Sequence, residues 1–318
     1  VQALKGLFSP LPFAVTRRFS QKLKQAVANF LEREKVDVLM CDSLYLAMLV
    51  PFGRTVTVLN EHNIESTIIS RYAKTEKNPL KKLYALYELS RIRRYENRIW
   101  SCFNRCWTCS DVDRREVLRR VPSAQVSVIP NGVDVSVIKP SRLPNKPGRL
   151  VYTGLIGWKP NEDAVLYFSK QIYPLIKKQF PNVSLMIVGK GPSAAVRELS
   201  KQDPSITVTG FVDDIKPYIE ESEVIVVPLR IGSGTRFKIL EAMAMAKAVV
   251  STPVGAEGLH VTDGKNIMLA DTPELFAAKV KSVLSDPSLR QSLECNGRSL
   301  VEQEYAWEVI SQKIRGLI

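Results

Sequence analysis

No stretch of the sequence is apolar enough to cross a bilayer. The most apolar window, VDVLMCDSLYLAMLVPF (36–52), is broken by Asp37 and Asp42 and falls short of the ~20 apolar residues that a spanning helix needs. The chain also lacks low-complexity tracts and repeats at solenoid periods, which sets aside linker-like and array architectures. No signal peptide is visible after Val1. Cysteine is scarce and odd in number, five in 318 residues, which suits a reducing compartment better than a disulfide framework. Histidine is scarcer still, with only His62 and His260. What remains is a chain of ordinary globular composition, long enough for about two domains with a sizeable core.

Charge is distributed unevenly. Residues 1–148 carry 25 basic against 13 acidic side chains and residues 149–318 carry 20 against 19, so +12 of the net +13 lies in the first half. Much of it falls in NPLKKLYALYELSRIRRYENRIW (78–100), a basic helical pattern that fits a solvated face, a membrane surface or a nucleic acid. Between the halves, KPSRLPNKPGR (139–149) holds Pro140, Pro144 and Pro147, which break helix and central strand alike; the linker is expected there. On both sides short β-branched runs alternate with helical patterns: VDVLM, TVTVL and VSVI before it, RLVY, VSLMIV, ITVT, EVIVV and AVVS after it. That alternation predicts βα units, parallel sheets and two doubly wound domains, with ligands at the carboxyl ends of the strands and an active site lining a cleft between the domains.

CFNRCWTC (102–109) spaces three cysteines as C-x3-C-x2-C, which raises the possibility of a metal or iron–sulfur site. Ser110 and Asp113 follow as a capping box, so RCWTC reads as the strand feeding a helix, with Cys106 and Cys109 on opposite faces. With no fourth ligand nearby, buried apolar cysteines are the expectation. Asp113, used as a cap, likewise removes DVD (111–113) as a metal motif.

The strongest chemical signal is EVIVVPLRIGSGTRFKILEAMAMAKAVVSTPVGAEG (223–258). Gly232 and Gly234 allow a ligand close to the backbone, and a helix from about Thr235 aims free N–H groups into the turn, an anion site. Arg236 and Lys238 would then lie in the first turn, where the macrodipole disfavours cations; an anion bound there explains them, and an exposed Arg236 with a Lys238–Glu241 pair is the plainer alternative. Two weaker glycine turns follow strands at YTGLIGWKPNEDAV (152–165) and MIVGKGP (186–192). In the first, Asn161 reads as an N-cap and Lys159 as a residue able to reach a phosphate. The second lacks the rest of a dinucleotide fingerprint.

EHNIES (61–66), VSVIPNGVD (126–134), TGLIGWKPNEDAV (153–165), VGKGP (188–192), TGFVDDIKPYI (209–219), PLRIGSGTRFKILEAMAMAKAVVSTPVGAEGL (228–259) and YAWE (305–308) together resemble the retaining GT-B glycosyltransferases of family four. The resemblance implies two facing Rossmann-like domains, an acceptor-binding one over 1–140 and a nucleotide-sugar-binding one over 141–304, with 305–318 a helix returning toward the first. It implies a UDP- or GDP-linked donor, a glycan or lipid-linked acceptor, no cofactor and no required metal. Glu241 matches the second glutamate of the family's paired motif, which holds the ribose; Ser233 stands where the first would be, as in a subgroup with GSGTR, and Leu155 replaces the arginine that follows the first glycine. His62, facing the transferred sugar, and Arg236 are implied as catalytic. Gly154, Lys159, Gly189, Phe211, Gly232, Ser233, Gly234, Thr235, Lys238 and Glu241 are implied as donor-binding.

Three expectations complete the reading. The family's opening βα units find no counterpart in 1–35, so the first sheet should have fewer strands than the second, an exposed apolar edge or face, and weak or no activity. The basic half should place the protein in the cytoplasm against the inner face of an anionic membrane. A nucleotide-sugar epimerase on the same fold, or a basic nucleic-acid-binding protein, are the alternatives; neither accounts for the glycine turns together with Glu241, and no nucleic-acid partner is expected.

Overall fold

The computed structural model describes residues 9, 11–53, 55–140 and 144–316, so part of the expected linker lies outside the described residues. The chain divides into two units, residues 1–130 with 233–235, and residues 131–232 with 236–318. The boundary therefore falls ten residues before the expected 140/141, and the last helix counts with the second unit.

In the first unit, helices α1 (Phe13–Arg18) and α2 (Gln21–Arg33) precede strand β1 (Val38–Cys41); β2 (Val56–Glu61), α3 (Glu65–Thr75), α4 (Pro79–Cys102), β3 (Arg105–Thr108), α5 (Asp111–Arg120) and β4 (Val126–Val128) follow. The four strands are parallel in the order β1-β2-β3-β4. Asn78 caps α4, its Oδ1 accepting from Leu80 N–H and Lys81 N–H, with Pro79 in the first turn where no N–H is missed. The capping box at Ser110 is present: Asp113 N–H donates to Ser110 Oγ at 3.1 Å, and the Ser110 hydroxyl donates to Asp113 Oδ2 at 2.6 Å. Cys106 and Cys109 are buried, but Cys102 ends α4 exposed, contrary to the expectation for all three. Among the described residues no three His, Cys, Asp or Glu side chains converge as metal ligands. Among them, too, the first sheet has four strands against six in the second, and its edge strand β1 exposes Val38 and Met40.

The second unit is built from β5 (Arg149–Thr153), α6 (Lys159–Tyr167), a π-turn (Phe168–Ile172), α7 (Tyr173–Lys177), β6 (Ser184–Val188), α8 (Ala194–Gln202), β7 (Ile206–Gly210), α9 (Lys216–Glu220), β8 (Val224–Val227), α10 (Phe237–Ala244), β9 (Ala248–Ser251), β10 (Met268–Leu269), α11 (Pro273–Ser285), α12 (Pro287–Leu300) and α13 (Trp307–Arg315). Only β10, two residues long, escaped the sequence reading. All pairings are parallel, in the order β7-β6-β5-β8-β9-β10. β8 and β9 are buried at every position, as helices on both faces require. Strand order reverses between β5 and β8, so the crevice where such sheets take ligands opens beyond the ends of these two strands.

Two local expectations are corrected. Helix α10 begins at Phe237, and Arg236 is its extended N-cap residue (φ −101°, ψ 104°) rather than a first-turn cation. Asn161 is not an N-cap: α6 starts at Lys159, with Pro160 fixing φ in its first turn, and Asn161 is already helical.

Candidate functional site

The reversal point of the second sheet carries a tight polar cluster. β5 delivers Tyr152 and Gly154, α6 delivers Asn161, and α10 delivers Lys238 and Glu241, with Arg236 at its N-cap. Asn161 Oδ1 accepts from the Tyr152 hydroxyl at 2.7 Å and from Lys238 Nζ at 3.1 Å, while its Nδ2 donates to Leu155 O at 2.8 Å. The Lys238 ammonium also lies 4.0 Å from the centre of the Tyr152 ring. Gly154 makes this possible: a Cβ there would stand 2.8 Å from Lys238 Nζ. Gly154 has φ +151° and Gly189, after β6, has φ +143°; any side chain at Gly189 would collide with Gly154 O, so both turns need glycine.

Electrostatics in the cluster run against the charged states. Burial, followed by the Arg236 guanidinium, pushes Lys238 down to about 7, with Glu241 pulling it back up. Burial raises the Glu241 carboxyl from its ordinary value, and Lys238 offsets part of that. Arg236 is 7% exposed, and its guanidinium fills the space beside Gly232 where a side chain would otherwise go. Two cations and a carboxyl whose ionisation is disfavoured thus share a site that a polyanion would complete.

The other residues singled out by sequence fall as follows. Lys159 is the first residue of α6, on its exposed side, and pairs with Glu162 at 3.1 Å; it is not part of the Lys238 cluster. Phe211 stands exposed just beyond edge strand β7. Residues 233–235 count with the first unit: Ile64 N–H donates to Ser233 Oγ at 2.9 Å, and the Ser233 hydroxyl donates to Asp113 Oδ1 at 3.1 Å. Ser233, in the place of the family's first glutamate, is therefore committed to the EHN segment and the α5 cap. A second pair went unnoticed in the sequence. Arg230, after β8, holds Asp163 of α6 in a fork, Nε to Oδ2 at 3.0 Å and Nη2 to Oδ1 at 2.6 Å, with its guanidinium 4.2 Å from the Tyr167 ring centre. It ties the segment after β8 to the helix that follows β5. Nothing in the local sequence around either residue signals it.

In the first unit His62 follows β2 and Asp42 follows β1, so parallel pairing brings them together: His62 Nε2 lies 3.0 Å from Asp42 Oδ1, which also accepts from Asn60 Nδ2 at 2.7 Å. Beneath them Glu61 is buried, and burial first, then the Glu96 carboxylate, raise its pKa well above the usual range, while the 3.1 Å hydrogen bond from Trp100 Nε1 acts the other way. A carboxyl raised in the folded state stabilises the protein below its unfolded pKa, and that contribution is lost as pH climbs through the folded value. Glu61→Gln keeps an acceptor for Trp100 and removes the titration. Its melting temperature at pH 7 should exceed the parent's by about 3 °C per kcal/mol relieved, with a flatter pH dependence above the ordinary carboxylate range; a lower melting temperature at pH 7 would contradict the buried neutral acid.

Known proteins share this fold. A model described as Glycosyltransferase Family 4 matches residues 4–137, and one described as Glycosyl transferases group 1 matches residues 147–286, between them most of the chain. The chain belongs to glycosyltransferase family four. As such a glycosyltransferase it is 21% identical over 316 residues to an uncharacterized 44.6 kDa protein of the cps region of Klebsiella pneumoniae, covering 95% of this chain and 78% of that protein. It is 29% identical to the phosphatidyl-myo-inositol mannosyltransferase of Mycobacterium tuberculosis over 64% of this chain and 56% of the enzyme, just over half its length. Among solved structures, sucrose-phosphate synthase from Thermosynechococcus elongatus superposes with TM-score 0.75 at 18% identity, covering 93% of this chain and 76% of that one. HepE of Anabaena, solved with UDP-glucose, gives TM-score 0.69 at 15% identity, covering 93% and 81%. The glycosyltransferase thus has the GT-B architecture, with two parallel α/β sheets.

Proposed function

We propose that the protein transfers a sugar from a nucleoside-diphosphate donor to a glycan or lipid-linked acceptor, with retention of anomeric configuration and without a required metal, in the synthesis of a cell-surface polysaccharide or glycolipid. The observation that carries this reading is the Arg236–Lys238–Asn161 cluster at the reversal point, basic side chains packed against the glycine backbone of Gly154 and Gly232. Supporting it, HepE is solved with UDP-glucose, and relatives include a mannosyltransferase acting on phosphatidylinositol and a capsular polysaccharide biosynthesis glycosyltransferase.

Cleavage of a sugar–diphosphate bond develops negative charge on the leaving phosphate. Arg236 and protonated Lys238, already oriented and partly dehydrated, would stabilise that charge more in the transition state than in the ground state. Glu241, on the same helix one turn beyond Lys238, takes the ribose hydroxyls in this reading. His62, oriented by Asp42, takes the transferred sugar, and same-face attack by the acceptor accounts for retention with no protein nucleophile.

The test is release of nucleoside diphosphate from a panel of UDP- and GDP-sugars by the purified protein, parent against His62→Ala. One donor should be consumed, and His62→Ala should bind UDP or GDP as the parent does while losing at least about tenfold in turnover, the scale of one positioned side chain. Silence across the panel, or parental turnover in His62→Ala, would count against it.

A further inference from the structure

Helix α4 is apolar on two sides, yet the fold covers only one. Ala85, Leu89 and Ile92 pack inward, whereas Leu80, Leu83, Tyr84, Leu86 and Tyr87 face out, with Leu80 77% and Leu83 67% exposed. Residues 80, 83, 84 and 87 follow helical spacing and form one continuous outward stripe. Scattered exposed leucines are ordinary in a soluble surface, but five large apolar side chains on two turns mark an interaction face.

The charges around the stripe say what it meets. Lys77, Lys81 and Lys82 are exposed beside it and form no ion pair among the described residues. From Lys77 to Asn97 the only acids are Glu88 and Glu96, both buried, Glu88 paired with Arg91 and Glu96 with Arg120. The outer surface of the helix therefore carries cations and apolar groups and no exposed anion. A protein partner or a nucleic acid could use the cations, but a polyanion has no use for three leucines at the tip. An anionic lipid surface uses both, apolar side chains entering the acyl boundary and lysines meeting the headgroups.

We infer that the amino-terminal half of α4 is a docking face for anionic bilayers. This rests on the first unit alone and stands whether or not the proposed transfer reaction is correct. The experiment is co-sedimentation of the full chain with phosphatidylcholine vesicles and with vesicles that also contain phosphatidylglycerol. The parent should bind the anionic vesicles at least tenfold more tightly, and added salt should weaken that binding. Lys81→Gln with Lys82→Gln should weaken binding about thirtyfold, at about fivefold per lysine. Leu80→Ser with Leu83→Ser should weaken it on the order of a hundredfold. Because all four side chains are exposed, both variants should melt as the parent does. Equal binding to neutral and anionic vesicles, or parental binding by either double variant, would overturn the inference. So would sedimentation equilibrium showing a dimer that Leu80→Ser with Leu83→Ser dissolves while the parent ignores vesicles, since the stripe would then meet a second copy.

Discussion

Arg236→Ala lowers the turnover of sugar transfer by about a hundredfold to a thousandfold while changing the donor KM by less than about fivefold, the range expected when one preorganised donor to a developing anion is removed. Arg236 is 7% exposed and is the N-cap residue of α10, so its charge stands at the positive end of that helix. In the proposed reaction the ground-state diphosphate shares several contacts, so losing one should have a modest effect on its binding. At bond cleavage the charge on the leaving phosphate rises, and the missing guanidinium is felt most. Arg236→Lys should recover part of the loss, because a point charge replaces a planar fork. Steady-state kinetics with the donor identified from the panel decides it: parental turnover in Arg236→Ala would remove Arg236 from the chemistry and leave its buried guanidinium with a structural role only.

Replacing Lys238 by Met should weaken UDP binding about tenfold to a hundredfold and abolish its coupling to pH. In the free protein Lys238 is pushed down to about 7 by burial and by Arg236, whereas a bound diphosphate favours the ammonium. Below about pH 7 the lysine is already protonated and affinity is flat. Above it, binding must take up a proton, so affinity falls by up to about tenfold per pH unit until the bound-state value is passed. Calorimetric titration with UDP near pH 8, in two buffers of different ionisation enthalpy, should show uptake approaching one proton for the parent and none for Lys238→Met. Buffer-independent heats for the parent would sink the assignment.

The same shift affects folding. A lysine depressed in the folded state is a liability at low pH that is relieved as pH rises from about 7 toward the unfolded value, so Lys238→Met should be more thermostable than the parent below about pH 7. Gain of stability with loss of ligand is the trade expected of a binding residue.

The strands were legible because parallel strands covered on both faces are runs of β-branched residues, as in EVIVV and AVVS, and the helix start at Ser110 was legible because a cap is a local contest for backbone N–H groups. Arg236 and Lys238 stood out because cations beside a glycine turn contradict the helix dipole. What local sequence could not carry was which partner each side chain would find. Asn161 has the residue type of a cap, but the helix already starts at Lys159 without a side-chain cap, and the Asn161 amide goes instead to Tyr152 and Lys238, nine positions before it and 77 after it. Lys159, equally basic and closer to the first glycine turn, falls on the outer side of the same helix against Glu162. Strand order alone brings Asp42 to His62 and sets the reversal between β5 and β8 that gathers the cluster. The sequence of α4 showed its basic charge, but which of its leucines stay exposed was settled only by packing. Periodicity and caps depend on neighbours three or four residues away and are written in the chain; the identity of a buried partner depends on sheet order and helix rotation, which only the folded molecule supplies.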